Sequence, residues 1–305
     1  MEADRPDEAD VPPDGHADRR DDQAAGGRTA RPAGTEPETR SRQECYDQLR
    51  VAEAKEKSEA AQQATAEEQT ATDKWNEDAT ESRCMWTEYL RKWPPEERQS
   101  AARSDGNRVL DRAASSQVEA ACERIAERER DKITPAMHIV ESQDPDRHLV
   151  GLDDCLKDSD RIKEKVYRGI KNFGRSPEQA VSLVPDTIRY TFQYREDHYT
   201  QGVWLDTERL KEQGFELHKL WNAWSDDQYK GINSQWIDRD TGQRFEVQFH
   251  THISYEAKQL THDAYERLRT HQPDKFEQMV LEAFQRKVTA DVPVPSGATD
   301  IPDHP

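Results

Sequence analysis

Apolar and polar side chains alternate through residues 245 to 251, FEVQFHT: Phe245, Val247 and Phe249 fall on one side of an extended chain, and Glu246, Gln248 and His250 on the other. The run is the second arm of a predicted hairpin over 231–249, GINSQWIDRDTGQRFEVQF, turning through Asp240-Thr241-Gly242-Gln243. Residues 187–194, TIRYTFQY, alternate in the same way and predict another strand, while 160–172, 206–213 and 253–269 read as helices. Strands interleaved with helices over 148–289 predict an α/β (α+β) domain with a mixed sheet flanked by helices.

Upstream the period is helical throughout. Leu110, Ala114, Val118, Ala121 and Ile125 recur at steps of four, four, three and four, one face of a helix that begins after Gly106-Asn107. Trp75, Met85, Trp86, Tyr89 and Leu90 predict another, ended by Trp93-Pro94-Pro95 because the residue before a proline avoids helical backbone. Residues 43–72 are good helix formers with a stripe made mostly of Ala. Residues 43–147 therefore read as a helical module, either plain packing or a surface for a protein partner or delivery. Residues 1–42 and 290–305 are rich in Asp, Pro and Gly, carry no periodic apolar positions, and are expected to be disordered.

Composition sharpens this picture. Of 305 residues 33% are hydrophobic and 35% charged, so much of the chain lies outside a core. A formal charge of −18 argues against non-specific contact with nucleic-acid backbones, though it leaves room for a local basic pocket. No apolar run reaches the roughly 20 residues that cross a bilayer, and the N-terminal segment lacks the apolar stretch of a secretion signal. The expectation is a soluble, cytoplasmic protein with no membrane partner, delivery to a target cell remaining open. Cys45, Cys84, Cys122 and Cys155 are widely separated, with no C-x-x-C pair, which suits free thiols.

Two carboxylates stand out by position: Asp186 just ahead of one strand and Glu246 inside another. Charges on inner strands are costly unless they meet cations or a metal, so the pair suits Mg²⁺ holding a nucleoside triphosphate. Cations are supplied by LKDSDRIKEKVYRGIK, where Lys157, Arg161, Lys165 and Arg168 follow at steps of four, four and three on one helical face. A solvated face is the plainer reading of that stripe. His250, His252 and His262 offer a zinc set for a metal-dependent hydrolase, or simple capping and hydrogen bonding.

Taken in order, residues 151–270 resemble the synthetase domain of the RelA/SpoT family, especially its small alarmone synthetases. The family strand Glu-Ile-Gln-Ile-Arg-Thr is matched by Glu246-Val247-Gln248-Phe249-His250-Thr251. The His sixteen residues beyond its Glu, and the Tyr three further on, are matched by His262 and Tyr265. The two donor-phosphate lysines eight apart are matched by Lys157 and Lys165, and the Asp-led strand by PDTIRYTF with Arg189 at its Arg. YKGINSQW lies where the family has an Asn-Gly-Tyr-Arg-Ser-Leu-His-like segment, so Gly231 and Ser234 match. There are departures. Asp186 stands three residues before Arg189 where the family has five, which shifts a carboxylate on a strand by about 6 to 7 Å. Ile232 replaces the Tyr that stacks on the acceptor base, Asn233 and Trp236 replace an Arg and a His, and His250 replaces an Arg.

The resemblance implies transfer of the β,γ-pyrophosphoryl group of ATP, the donor, to the 3′-hydroxyl of a purine nucleotide, or to the 3′ end of tRNA as in toxin relatives. It implies Mg²⁺ on Asp186 and Glu246 and catalytic roles for Glu246, Asp186 and Arg189. Lys157, Arg161, Lys165, Lys230, Gln248, His250, His262 and Tyr265 are then nucleotide-binding, with Tyr229 or Trp236 taking over acceptor recognition. A non-catalytic nucleotide-binding protein that kept the fold is the other reading.

Overall fold

A computed structural model describes residues 55, 62–63, 66–93, 110–270 and 273–305. The expectations for 1–42, and for most of the helix over 43–72, lie outside these residues. Residues 66–78 are helical and lead into α1 (Thr80–Lys92), which ends at Trp93, in non-helical backbone before the proline. The stripe foreseen on α2 (Arg112–Arg128) is buried at Ala114, Val118, Ala121 and Ile125, and Asp111 caps the helix by accepting from the Ala114 N–H at 2.8 Å. A π-helical turn, Glu129–Ile133, carries α2 into α3 (Thr134–Ser142).

There follow β1 (Arg147–Val150), α4 (Ser159–Phe173), α5 (Pro177–Ser182), β2 (Arg189–Tyr194), α6 (Tyr199–Glu212), β3 (Phe215–Asn222), β4 (Ile232–Asp238), β5 (Arg244–Thr251), α7 (His252–Thr270) and α8 (Lys275–Ala290). The strands form one mixed sheet in the order β1-β2-β5-β4-β3, parallel between β2 and β5 and antiparallel elsewhere. The hairpin turns where expected, with Gly242 at φ 69° donating its N–H to the Asp238 carbonyl at 2.8 Å.

Phe245, Val247 and Phe249 are wholly buried beside Tyr190, Phe192, Ile232 and Trp236, so one sheet face is the core. It is covered by α3 and α6 through Met137, Val140, Val203 and Leu210. The opposite face is polar: across the sheet Arg189 pairs with Glu246 and Glu246 with Gln235, while Thr191 pairs with Gln248, Gln248 with Asn233 and Asn233 with Trp221 of β3. Helix α7 crosses part of this face.

Two boundaries differ from expectation. No break in packing falls at residue 147. Trp86 stacks on Phe284 of α8 at 5.1 Å, the Tyr89 hydroxyl donates to Glu277 at 2.9 Å, and α1, α2 and α3 share one core with the sheet. Residues 290–305, expected to be disordered, are docked along β3. Val292, Ala298 and Ile301 are buried, Asn222 Nδ2 donates to the carbonyls of Ala298 and Ile301, and His304 exchanges backbone bonds with Leu220. A sparse apolar content suffices because the tail also pairs with an edge strand, whose free N–H and C=O groups need partners.

Three elements lie away from the sequence expectation for local reasons. Strand β3 carries a register shift between Leu217 and Lys219, so its alternation is broken. Helix α6 starts at Tyr199 rather than 206, because a buried Asp206 sits among Tyr199, Val203 and Leu210 and masks the apolar period. Asp186 stands outside a strand, in the turn Pro185–Thr187 at φ −99° and ψ 28°, and β2 begins at Arg189.

Candidate active site

The polar face is most charged at the entry to β2. Asp186 Oδ2 accepts from Lys157 Nζ at 2.8 Å, Lys165 Nζ at 2.5 Å and Arg189 Nη2 at 3.2 Å. Arg189 turns its Nε to Glu246 Oε1 at 3.0 Å, which also accepts from Gln248 Nε2 at 2.6 Å. The turn at Asp186 brings its carboxylate to Arg189. Burial alone would raise the Asp186 pKa, but the hydrogen bonds and charges of Lys157 and Lys165 outweigh it and hold the carboxyl well below the usual range. Lys157 lies ahead of α4 rather than on it. Its N–H pairs with the Thr187 carbonyl, and burial lowers its ammonium pKa against the pull of Asp186. Of the remaining stripe, Arg161 is exposed and forms no ion pair among the described residues, so it stands on the solvated face.

Helix α7 contributes the residue that sequence reasoning missed. Lys258 Nζ donates to Gln248 Oε1 at 2.6 Å, and burial, reinforced by Arg189 and opposed by Glu246, pushes its pKa down to about 8. Its signal was helical spacing: 258, 262 and 265 share a face, and His262 and Tyr265 were already in view. Both of these are exposed, His262 within the field of Lys258 and Arg189. Glu266 and Arg269 continue the face as a pair at 2.8 Å.

His250 is placed differently from expectation. It is fully buried, with Nε2 on the Tyr229 hydroxyl at 2.8 Å and Nδ1 on Ser254 Oγ at 2.9 Å, and burial drives its pKa well below 6.5. A neutral ring with both nitrogens engaged neither meets a phosphate nor ligates zinc; it supports Tyr229 from below. The chain passes so close above it that a Cβ on Gly231, at φ 143°, would lie 2.6 Å from the imidazole. His252 sits near Glu68 at 3.9 Å, and no group of three or more His, Cys, Asp or Glu is arranged for a metal ion among the described residues. Lys230 is also withdrawn, its ammonium closing the loop through the carbonyls of Trp224 and Asp226.

Trp236 and Ile232 lie on the core face, both wholly buried, so neither can meet a base. Tyr229 takes the polar side. Its hydroxyl donates to Asn233 Oδ1 at 2.9 Å, and its ring stacks on Trp221, centroids 5.9 Å apart and planes at 11°. Trp221 is 43% exposed.

The donor set fits Mg²⁺ by its chemistry. Both groups are hard carboxylates, and Asp186 Oδ1 and Glu246 Oε2 receive no hydrogen bond among the described residues, leaving two oxygens where such ions take one or two carboxylates plus phosphates.

No family model and no curated protein matches the chain. Solved structures are similar to it. A GTP pyrophosphokinase family protein from Streptococcus pneumoniae is 14% identical, with 59% of this chain and 89% of that chain covered and a TM-score of 0.39. Small alarmone synthetase 1 from Bacillus subtilis is 12% identical, covering 57% and 90% at a TM-score of 0.37. The same synthetase bound to its product pppGpp is 10% identical, covering 55% and 88% at 0.36. No helix among the described residues is long and apolar enough to cross a membrane.

Proposed function

We propose that this chain transfers the β,γ-pyrophosphoryl group of ATP to the 3′-hydroxyl of a purine nucleotide. The observation that carries the reading is the charge of the site. Lys157, Lys165, Arg189 and Lys258 are four cations gathered about two carboxylates, Asp186 and Glu246, in a chain of net charge −18. A local positive excess in an acidic protein is a site that an anion completes, and a triphosphate is the anion whose transfer needs little beyond positioning and charge neutralisation.

In this reading Lys157, Lys165 and Arg189 face the donor phosphates and offset the charge that shifts to the leaving group. Asp186 would hold Mg²⁺ through its free oxygen, with the charge of Glu246 beside it, and the ion would supply further neutralisation of the phosphates. Glu246 is the general base: with Oε1 held by Arg189 and Gln248, Oε2 takes the proton of the acceptor hydroxyl. The acceptor oxygen bonds to the β-phosphorus, the bond from that phosphorus to the α–β bridging oxygen breaks, and AMP leaves with its electron pair. The exposed face of Trp221, backed by Tyr229, is offered to the acceptor base.

The test is incubation of the purified protein with γ-labelled ATP, Mg²⁺ and, in turn, GDP, GTP, ADP, AMP and tRNA. Label should pass to one acceptor with release of AMP, and Glu246→Gln should lower the rate by about 10² to 10⁴-fold with folding intact. Transfer undiminished in that variant would refute the role of Glu246. A second reading, nucleotide binding without turnover, is favoured by the three cations already on Asp186 Oδ2. Its mark is ATP binding with no AMP released on any acceptor.

A further inference from the structure

We infer that Lys258 is a positioning residue, which through the Gln248 amide fixes the orientation of the Glu246 carboxylate. The inference rests on Glu246 being the base. A glutamine side chain presents an oxygen and an amino group of nearly the same shape, and only its neighbours decide which way it points. Here they decide completely. The Lys258 ammonium can only donate, and it lies 2.6 Å from Oε1; an ionised Glu246 can only accept, and it lies 2.6 Å from Nε2. Thr191 Oγ1, at 3.5 Å from the same Oε1, is too distant to hold the amide alone.

The consequence reaches the reacting oxygen. Gln248 Nε2 and Arg189 Nε both converge on Glu246 Oε1, so the carboxylate is clamped at that oxygen and Oε2 is presented. Arg189 is shared with Asp186 and is a weaker clamp without help. If Lys258 is removed, Gln248 Oε1 loses its charged donor, and the amide is held at one end only, by the carboxylate it is meant to hold. Partial burial disfavours the ammonium; the Tyr255 ring lies 5.2 Å from it, and no carboxylate pairs with it directly among the described residues, so simple ion pairing does not account for it. With its pKa near 8 it still carries its proton at neutral pH.

The test uses the full chain with Lys258→Met, Gln248→Leu, their combination, and Lys258→Arg. The side-chain amide signal of Gln248, identified by its loss in Gln248→Leu, should shift and exchange faster with solvent in Lys258→Met. An unchanged signal would overturn the inference whether or not the protein transfers pyrophosphate. Where transfer is measured, Lys258→Met should lower kcat by about 10 to 100-fold with the KM for ATP little changed. Lys258→Arg should restore most of that loss. The combined variant should be no slower than the slower single one, because both changes break one relay. Losses that multiply, or a KM for ATP that rises with kcat preserved, would mean that Lys258 meets the substrate itself, and would also overturn it. A wild-type protein that transfers nothing while the amide responds as expected would count against the proposed reaction and not against the relay.

Discussion

Two clusters of buried charge lie in this sheet domain, and they are built on different terms. In the first, Arg147 Nε meets Asp206 at 2.6 Å with both side chains wholly buried. Tyr194 and Arg209 bond Asp206 at 2.7 and 2.8 Å, and Asp144 takes the second Arg147 nitrogen at 3.1 Å. Two cations meet two carboxylates, and the charges cancel. In the second, around Asp186 and Glu246, side chains of the four ion pairs are 11 to 35% exposed; three cations meet two carboxylates, and a fourth, Lys258, stands beside them on Gln248. Burial and bonding are thus shared by both; what separates the two is whether the charges cancel.

The comparison is broken most forcefully from the closed side. Asp206→Ala strands Arg147 in the core without its main partner, and loss of one member of a buried pair costs about 3–5 kcal/mol. Chemical denaturation should show that loss in full. A loss under about 1 kcal/mol would mean that the first cluster is dispensable to the fold and that the contrast is false.

The open side should answer in the opposite way. Asp186→Asn removes a carboxylate from a site already short of negative charge, where solvent reaches the remaining cations. Transfer should fall by about 10²-fold or more, as when one charge-stabilising group is lost, while stability at neutral pH should fall by less than the roughly 3–5 kcal/mol of a fully buried pair, because solvent reaches the cations left behind. The carboxyl is depressed in the folded protein, so its contribution to stability is present above the ordinary carboxylate pKa and is lost as pH falls through the folded value. Wild type should therefore lose its margin over Asp186→Asn only in strong acid. A margin that is unchanged down to the lowest pH at which both fold would show that the three cations do not stabilise this carboxylate.

Much of this contrast was legible in the residues and some was not. The alternation of FEVQF assigns Glu246 and Gln248 to a polar face, spacing picks out Lys157 and Lys165, and Arg189 comes from the resemblance alone. Asp186 was named, but the turn that carries it was hidden, since PDTIRYTF reads as unbroken strand. His250 and Lys230 were misplaced for a shared reason: a polar type in a site-like position says nothing of which protein group has already taken its hydrogen bonds. Lys258 escaped because one lysine on a helix is ordinary until tertiary packing brings it to Gln248. The docked tail escaped because its partner, the edge of β3, is distant in sequence and itself irregular.

The smallest effect is the most telling about the excess charge. Burial and Arg189 bring Lys258 from 10.5 to about 8, so folding must carry an ammonium into a place that disfavours it. Lys258→Met removes that cost and forgoes one hydrogen bond to Gln248, which should make the variant more stable than wild type by roughly 1–2 kcal/mol at pH 7. The gain has a definite pH signature. Between about 8 and 10.5 the folded wild type has released the proton that the unfolded chain still holds, so wild-type stability rises with pH across that window and the advantage of the variant shrinks. Thermal unfolding of the two proteins from pH 6 to 10 measures it. A variant less stable at pH 7, with a deficit that does not widen between pH 8 and 10, would mean that the site holds its fourth cation favourably, and that the positive excess separating this cluster from the Arg147–Asp206 network is already balanced within the protein.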